Sequence, residues 1–342
     1  MKRSILKLTA LFLTLAFLLC ACGGDPHIPF SGAGYSSSDA PSSSGPEPSS
    51  SGTETPVEGD YTPGMWRVTS DTYPGTLYLF GSIHVGDDEM FPLPDYVENA
   101  YASCGALAVE CDIVAFEQLP ESEIIKYYLP FVLTDGTTIR DHLPEDVFNA
   151  SKKLLSDAGY YNSALDYYNA AMWNSLVSQV AAESTGLSFD NGVDRHFLND
   201  AHETGKKILE IESVEFQYAM DNKFSDETYA LIMRDCVEDS FLDDYKDDLL
   251  ELLACWKDGS IYDETDEDDD ANSELTDEER EMMEYYDRVT CYDRNVGMAD
   301  AAESYIKQGM NVFYVVGAAH MYGDKGVVAL LKERGYDVQT VE

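Results

Sequence analysis

Two segments at opposite ends of the chain share one pattern, in which an apolar strand is followed by glycine, two small or apolar residues and histidine. They are residues 77–86, LYLFGSIHVG, and residues 313–323, FYVVGAAHMYG. Residues 311–316 form a nearly continuous apolar run, which predicts a strand buried at the centre of a sheet. Functional groups in open α/β sheets sit just beyond the carboxyl ends of strands. We therefore expect these two strands to lie side by side and to bring His84 and His320 together.

An acidic residue closes a third predicted strand. Glu110 ends the short run of residues 106–110, ALAVE, and is expected at the same sheet edge as the two histidines. Two imidazoles and one carboxylate suit a divalent transition metal that activates water. The alternative is that both histidines are buried structural side chains and that Glu110 caps a turn. Because three such groups follow three strands, the pattern is more specific for a functional site than a single Gly-x-x-His would be.

The order of strand and helix patterns predicts the fold class. Strand patterns occur near both ends of the body, and the middle is mostly helical. Strands are predicted at residues 66–69, 76–80, 106–110, 207–211, 311–316 and 337–341, and helices at 94–103, 194–204 and 326–334. Two further helical stretches, about 116–182 and 215–256, are predicted to form a large inserted cap. We therefore predict one α/β (α+β) domain over residues 65–342, with a central mixed sheet built from its N- and C-terminal halves.

The first residues are typical of a bacterial secretory signal. Lys2, Arg3 and Lys7 precede an apolar run over residues 8–19, which is too short to span a bilayer comfortably. The run ends in Leu19-Cys20-Ala21-Cys22, which is similar to a lipoprotein cleavage box. Residues 1–21 are thus predicted to be a signal peptide, and Cys22 the diacylated N-terminus of a protein held on the extracytoplasmic side of the membrane. The alternative is an ordinary cleaved signal.

Composition separates a tether from the body and excludes some partners. Residues 22–64 hold 25 Ser, Pro or Gly among 43 positions and no Lys or Arg, which predicts a disordered tether. The body carries 19 basic and 58 acidic residues within a chain of net charge −42. Such a charge excludes unspecific nucleic-acid binding, leaves the N-terminal lipid as the only membrane contact and favours basic or neutral substrates. The acidic stretch at about 258–281 is predicted to be a mobile loop.

Five cysteines of the body do not form a disulfide framework. Their number is odd, they are widely spaced and no CxxC pair occurs; they are Cys104, Cys111, Cys236, Cys255 and Cys291. We interpret them mostly as small buried apolar residues and leave one disulfide open.

Several blocks of sequence carry a resemblance to a known family. They are residues 75–86, 107–112, 192–206, 209–213 with Gln217, 293–295 with Met298 and Ala299, and 317–323. Together they resemble the TraB/PrgY/GumN family, whose relatives include the animal Tiki proteases. The resemblance covers roughly residues 66–342 and does not include the tether or the acidic loop. It implies a secreted or membrane-associated metal-dependent hydrolase, with protease activity in the animal relatives.

The resemblance also implies roles for individual residues. His84 and His320 become metal ligands or catalytic groups, and Glu110 becomes a ligand or general base. Arg294 becomes a cation that stabilises the oxyanion, and Asn295 becomes a hydrogen-bond donor in the site. Glu212 becomes a group that orients a histidine. The ligand types narrow the metal to Mn, Co, Fe or Zn. The alternative function is a non-enzymatic surface module that binds a peptide signal, haem or metal.

Overall fold

The computed structural model describes residues 61–260 and 275–341. The predicted signal peptide, the lipid-attachment residue Cys22, nearly all of the tether and the larger part of the acidic stretch lie outside these residues. Within the described ranges, no helix is both long enough and apolar enough to cross a membrane.

One mixed sheet of six strands forms the centre of the described domain. The strands are β1 (Met65–Thr69), β2 (Thr76–Ser82), β3 (Ala106–Val109), β4 (Lys207–Glu210), β5 (Asn311–Gly317) and β6 (Asp337–Thr340). Their order across the sheet is β4-β3-β5-β2-β1-β6. The pairs β2–β5, β5–β3 and β3–β4 are parallel, whereas β1 is antiparallel to both β2 and β6. The predicted mixed sheet, built from both halves of the chain, is confirmed.

The central strand β5 is buried on both faces, which explains its continuous apolar sequence. Because side chains alternate along a strand, Phe313 and Val315 enter one core and Val312, Tyr314 and Val316 enter the other.

Helices cover both faces of this sheet. In the described residues they are α1 (Asp95–Ser103), α2 (Ile113–Glu117), α3 (Glu121–Tyr128), α4 (Glu145–Asp157), α5 (Ala170–Ser184), α6 (Val193–Thr204), α7 (Val214–Asp221), α8 (Asp226–Ile232), α9 (Phe241–Lys257), α10 (Asp277–Asp287), α11 (Asp293–Lys307) and α12 (Val327–Glu333). A π-helical turn, Arg288–Tyr292, joins α10 to α11. Helices α11 and α12 pack on one face of the sheet, and the larger set, α1 to α10, packs on the other. This larger set contains the predicted cap, divided by short turns into several helices.

Two details refine the sequence-based expectations. Helix α10 begins at Asp277 with a capping box from Thr276, so the end of the predicted acidic loop is helical. The five cysteines of the body are all free, and three of them are buried.

Candidate active site

Three strand ends meet at one edge of the sheet. β2 and β5 pair with Ser82 opposite Gly317, and β5 pairs with β3 on its other side. Since β5 lies between β2 and β3, residues just beyond these strands share one sheet edge. His84 follows β2, Glu110 follows β3 and His320 follows β5. The expected convergence is therefore present, and the roles assigned to the three side chains stay predictions.

Gly317 lies at the centre of these three side chains. A β-carbon at this position would stand 3.6 Å from His84 Nε2, 3.4 Å from Glu110 Oε1 and 3.6 Å from His320 Cδ2. The Gly317 backbone N–H donates to Glu110 Oε1 at 2.8 Å. Glycine thus leaves a small space between two imidazoles and a carboxylate, while its amide orients the carboxylate.

Glu110 is a buried carboxylate surrounded by donors. Its Oε2 accepts hydrogen bonds from Arg294 Nη2 and, at 3.1 Å, from Gln217 Nε2. Burial alone would raise the pKa of Glu110, but the Arg294 charge, the two imidazoles and the Gly317 N–H outweigh it and lower the pKa to about 2. Glu110 is therefore an anion at neutral pH.

The guanidinium of Arg294 is enclosed by acidic groups. Its Nε and Nη2 donate to the Glu212 carboxylate at 2.9 and 2.8 Å, Nη2 also donates to Glu110, and Nη1 donates to the Thr290 carbonyl at 3.0 Å. Burial would lower the pKa of Arg294, but the two carboxylates outweigh burial and raise it. Because four of its five N–H donors are engaged in these bonds, the geometry does not favour the predicted oxyanion role.

The same contacts locate Glu212. It was expected to orient a histidine, but its side chain instead accepts hydrogen bonds from Arg294 and, at 3.2 Å, from Gln217. Glu212 therefore acts on the cation that neutralises Glu110.

His84 is held by a carboxylate in the first turn of α6. Its Nδ1 lies 3.0 Å from Asp194 Oδ1, which leaves Nε2 directed towards Gly317. Burial would lower the pKa of His84, but the charge of Asp194 and this hydrogen bond outweigh burial and raise it. A carboxylate on the second ring nitrogen is the usual support of a histidine that binds a metal.

His320 is held by an amide instead. Its Nδ1 lies 2.7 Å from Asn295 Oδ1, and the amide is oriented by donation from Asn295 Nδ2 to the Lys325 carbonyl at 3.0 Å. An amide oxygen only accepts, so Nδ1 carries the proton and Nε2 keeps its lone pair. Burial, followed by the charge of Arg294, lowers the pKa of His320 to about 3, which makes the ring neutral. Asn295, predicted to be a donor in the site, thus positions His320.

The π-helical turn contacts both Arg294 and His320. Its Thr290 carbonyl accepts from Arg294, and its Cys291 Sγ lies 3.9 Å from His320 Nδ1. Turns of this type interrupt α-helices frequently at functional sites. Here the turn precedes Arg294 and Asn295 directly and sets the face on which they lie.

Two small cavities, about 30 and 40 Å³ in volume, adjoin the end of β2. The first is lined by polar groups, including Glu110, Asp194 and Gln217. The second lies between the loop after β5 and the cap residues Leu249, Leu252 and Trp256. Ser82 and His84 line both cavities. The sheet edge therefore meets the cap at two small cavities that both adjoin His84.

The donor set fits a transition metal in residue type. His84 and His320 each have Nδ1 anchored by an oxygen, and Glu110 is ionised beside them. The spacing is wider than in a closed site, because His320 Nε2 is 3.9 Å from Glu110 Oε1, whereas two ligands of a tetrahedral zinc stand roughly 3.4 Å apart. Accordingly, no group of three His, Cys, Asp or Glu side chains in the described ranges is close enough to hold an ion.

Two contact residues had no role assigned from sequence. Asp194 and Gln217 both fall in blocks that resemble the family, which was the available signal, but Asp194 is 110 positions from His84 and Gln217 is 107 positions from Glu110. Three other histidines each pair with a carboxylate other than Glu110: His142 with Asp226, His196 with Glu98 and His202 with Asp112.

The fold and site together define an α/β protein with a buried histidine–glutamate centre at the carboxyl edge of a mixed sheet. The chain belongs to the TraB/PrgY/gumN family, whose sequence profile matches residues 64–340.

Individual relatives are distant. The chain is 24% identical over 278 residues to the uncharacterized protein YbaP of Escherichia coli strain K12, covering 78% of this chain and 92% of the relative. It is also 24% identical over 303 residues to the metalloprotease TIKI2 of Danio rerio, covering 77% of this chain and 58% of the relative. No solved structure matched the chain.

Proposed function

We propose that this protein is a metal-dependent hydrolase, and more narrowly a peptidase, with its site at His84, His320 and Glu110. The observation that carries the proposal is the convergence of these three side chains around Gly317. Family membership and the distant similarity to a metalloprotease support it.

Each group around the centre has a definable task in this proposal. His84 and His320 would hold a divalent metal through Nε2, and Glu110 would do so through Oε1. Such a metal supplies an acidified water and polarises a carbonyl group. Asp194 and Asn295 fix the two rings by holding a proton on each Nδ1.

The substrate class follows from charge. The body carries 19 basic and 58 acidic residues, so a cationic or neutral peptide approaches it more readily than an anionic one. We propose a basic or neutral peptide or protein segment as substrate, entering where the sheet edge meets α9.

We further propose that the protein is a lipoprotein on the extracytoplasmic face of a bacterial membrane. Lys2, Arg3 and Lys7, the following apolar run and Cys22 support this placement. Full-length protein expressed in bacteria should partition with membranes and carry acyl chains, detected by mass spectrometry. A Cys22→Ser variant should lose both, and unchanged membrane partitioning of this variant would contradict the placement.

Metal analysis of the full-length protein tests the proposed hydrolase. We expect about one divalent metal per chain after incubation with Mn, Co, Fe or Zn, and none in a folded His84→Ala/His320→Ala variant. A His196→Ala/His202→Ala variant is the matched control, because these histidines pair with Glu98 and Asp112 outside the site. The wild type should also cleave members of an internally quenched peptide library. A wild type without metal and without cleavage would refute the proposal.

One observation favours a second candidate, the non-enzymatic binding module. Glu110 and Glu212 both form ion pairs with the buried Arg294. The proposed metal donors His320 and Glu110 are also farther apart than two ligands of a closed site. In that case the protein would retain a peptide without cleaving it, and neither chelator nor the double histidine variant would change its affinity.

A further inference from the structure

Ser82 carries a buried hydroxyl that has no hydrogen-bond partner among the described residues. The residue is 3% exposed and ends β2, directly opposite Gly317. Leaving a buried polar group unpaired destabilises the folded state. Since native proteins keep few such groups, this hydroxyl requires an explanation.

The position of Ser82 points to a ligand. Ser82 and His84 line both cavities, one of which reaches Glu110 and the other Gly317. Ser82 therefore lies beside the proposed metal donors, at a residue shared by both cavities.

Other donors around Glu110 are already engaged within the protein. Arg294 donates to two carboxylates and a carbonyl, and the Gly317 N–H donates to Glu110. The Gln217 amide donates to carboxylates, and the Asn295 amide donates to a backbone carbonyl. The Ser82 hydroxyl, by contrast, has no acceptor among the described residues.

We propose that Ser82 Oγ–H donates a hydrogen bond to the carbonyl oxygen of the peptide bond that is cleaved. This inference rests on the proposed hydrolase function and adds a catalytic residue to it. When the water oxygen bonds to the carbonyl carbon, the electron pair of the C=O double bond moves onto the oxygen. The C–N bond then breaks, the nitrogen leaves as an amine with a proton from the water, and the carbonyl re-forms. A donor fixed at the oxygen stabilises the charge that develops there.

Stability separates this role from a structural one. Removing an unpaired hydroxyl should leave the thermal midpoint of full-length Ser82→Ala unchanged or raised. Ser151→Ala is the matched control, because the buried Ser151 hydroxyl donates to the Val147 carbonyl at 2.7 Å and its loss should lower the midpoint. A Ser82→Ala midpoint lowered as much as that of Ser151→Ala would overturn the proposal.

Kinetics and inhibitor binding complete the test. On a peptide selected from the quenched library, Ser82→Ala should lose about 100-fold in kcat with little change in KM. Its affinity for a peptidyl phosphonamidate, a tetrahedral analogue, should fall in parallel, and Ser82→Thr should restore much of both.

The outcomes distinguish the two proposals. If Ser82→Ala cleaves the peptide and binds the analogue as well as the wild type does, the role of Ser82 is refuted and the hydrolase stands. If the wild type neither cleaves peptides nor binds the analogue, the hydrolase is refuted and the role of Ser82 falls with it.

Discussion

The backbone amide of Gly317 donates a 2.8 Å hydrogen bond to Glu110 Oε1 and thereby ties the end of β5 to the carboxylate that follows β3. The same glycine lies opposite Ser82 on its other side. One residue without a side chain thus orients the acid and keeps open the space that His84 and His320 face.

Gly317→Ala should fill that space without unfolding the protein. The backbone at Gly317, with φ −47° and ψ 137°, suits alanine, and the new methyl would meet its neighbours at 3.4 Å or more. We expect a near-normal thermal midpoint with loss of bound metal, measured by elemental analysis. Gly297→Ala, in α11 with open space around it, is the control. Its free energy of unfolding should rise by about 0.5–1 kcal/mol, and it should keep its metal. Full metal content in Gly317→Ala would contradict this account of the site.

Arg294→Ala should destabilise the fold strongly. It would leave Glu110 and Glu212 buried without their cation, which costs about 3–5 kcal/mol in the free energy of unfolding. Arg140→Ala removes an arginine whose ion pair with Glu145 is exposed, and should cost about 0–1 kcal/mol. Urea unfolding of both variants measures the difference. Equal losses would show that the buried cluster is not a centre of stability.

Asp194→Asn should weaken metal binding more than it weakens the fold. The variant keeps a side chain of the same shape beside His84 Nδ1 but removes the charge that supports the ring, so metal affinity should fall about 10–100-fold. Competition with a chelator measures the affinity. Glu98→Gln alters a histidine–carboxylate pair outside the site, at His196, and should have no effect. If both variants bind metal like the wild type, His84 is not a ligand.

Asp221 predicts a pH dependence of stability. Burial raises the pKa of Asp221 to about 7 in the folded protein, although Arg294 opposes the shift. In an unfolded chain the pKa of aspartate is about 3.9, so between about pH 4 and pH 7 the folded state keeps a proton that the unfolded state releases. This contribution therefore destabilises the protein progressively as pH rises through that range.

Asp221→Asn removes the titrating group. Its free energy of unfolding in urea, relative to the wild type, should rise from about pH 4 to about pH 7 and then level off. Asp157→Asn, at a largely exposed position, is the control. A difference between Asp221→Asn and the wild type that is constant with pH would show that the carboxyl is ionised in the folded protein.

Local patterns were sufficient to predict the sheet and the approach of three site residues. The apolar run of β5 predicts a buried strand, and the repeated Gly-x-x-His pattern predicts that His84 and His320 lie together. Glu110 could be placed because a strand end fixes where a side chain lies relative to the sheet edge. These inferences need only the two-residue period of a strand and the geometry of parallel pairing.

The supporting groups could not be predicted in the same way. Asp194 meets His84 across 110 positions of sequence, and Glu110 meets Arg294 across 184. Which way Arg294 and Asn295 face depends on a π-helical turn, whose wider winding shifts the helical phase and leaves no simple periodic signal. The sequence therefore indicated these residues but not their partners.

The position of β5 also determines when the site can exist during synthesis. β5 lies between β2 and β3 in the sheet, although it follows both of them in sequence. A nascent polypeptide that stops before Asn311 contains His84 and Glu110 but lacks His320 and the strand that pairs with both β2 and β3. The centre is thus assembled only after residues 311–320 have been synthesised, and a product truncated before Asn311 cannot form it.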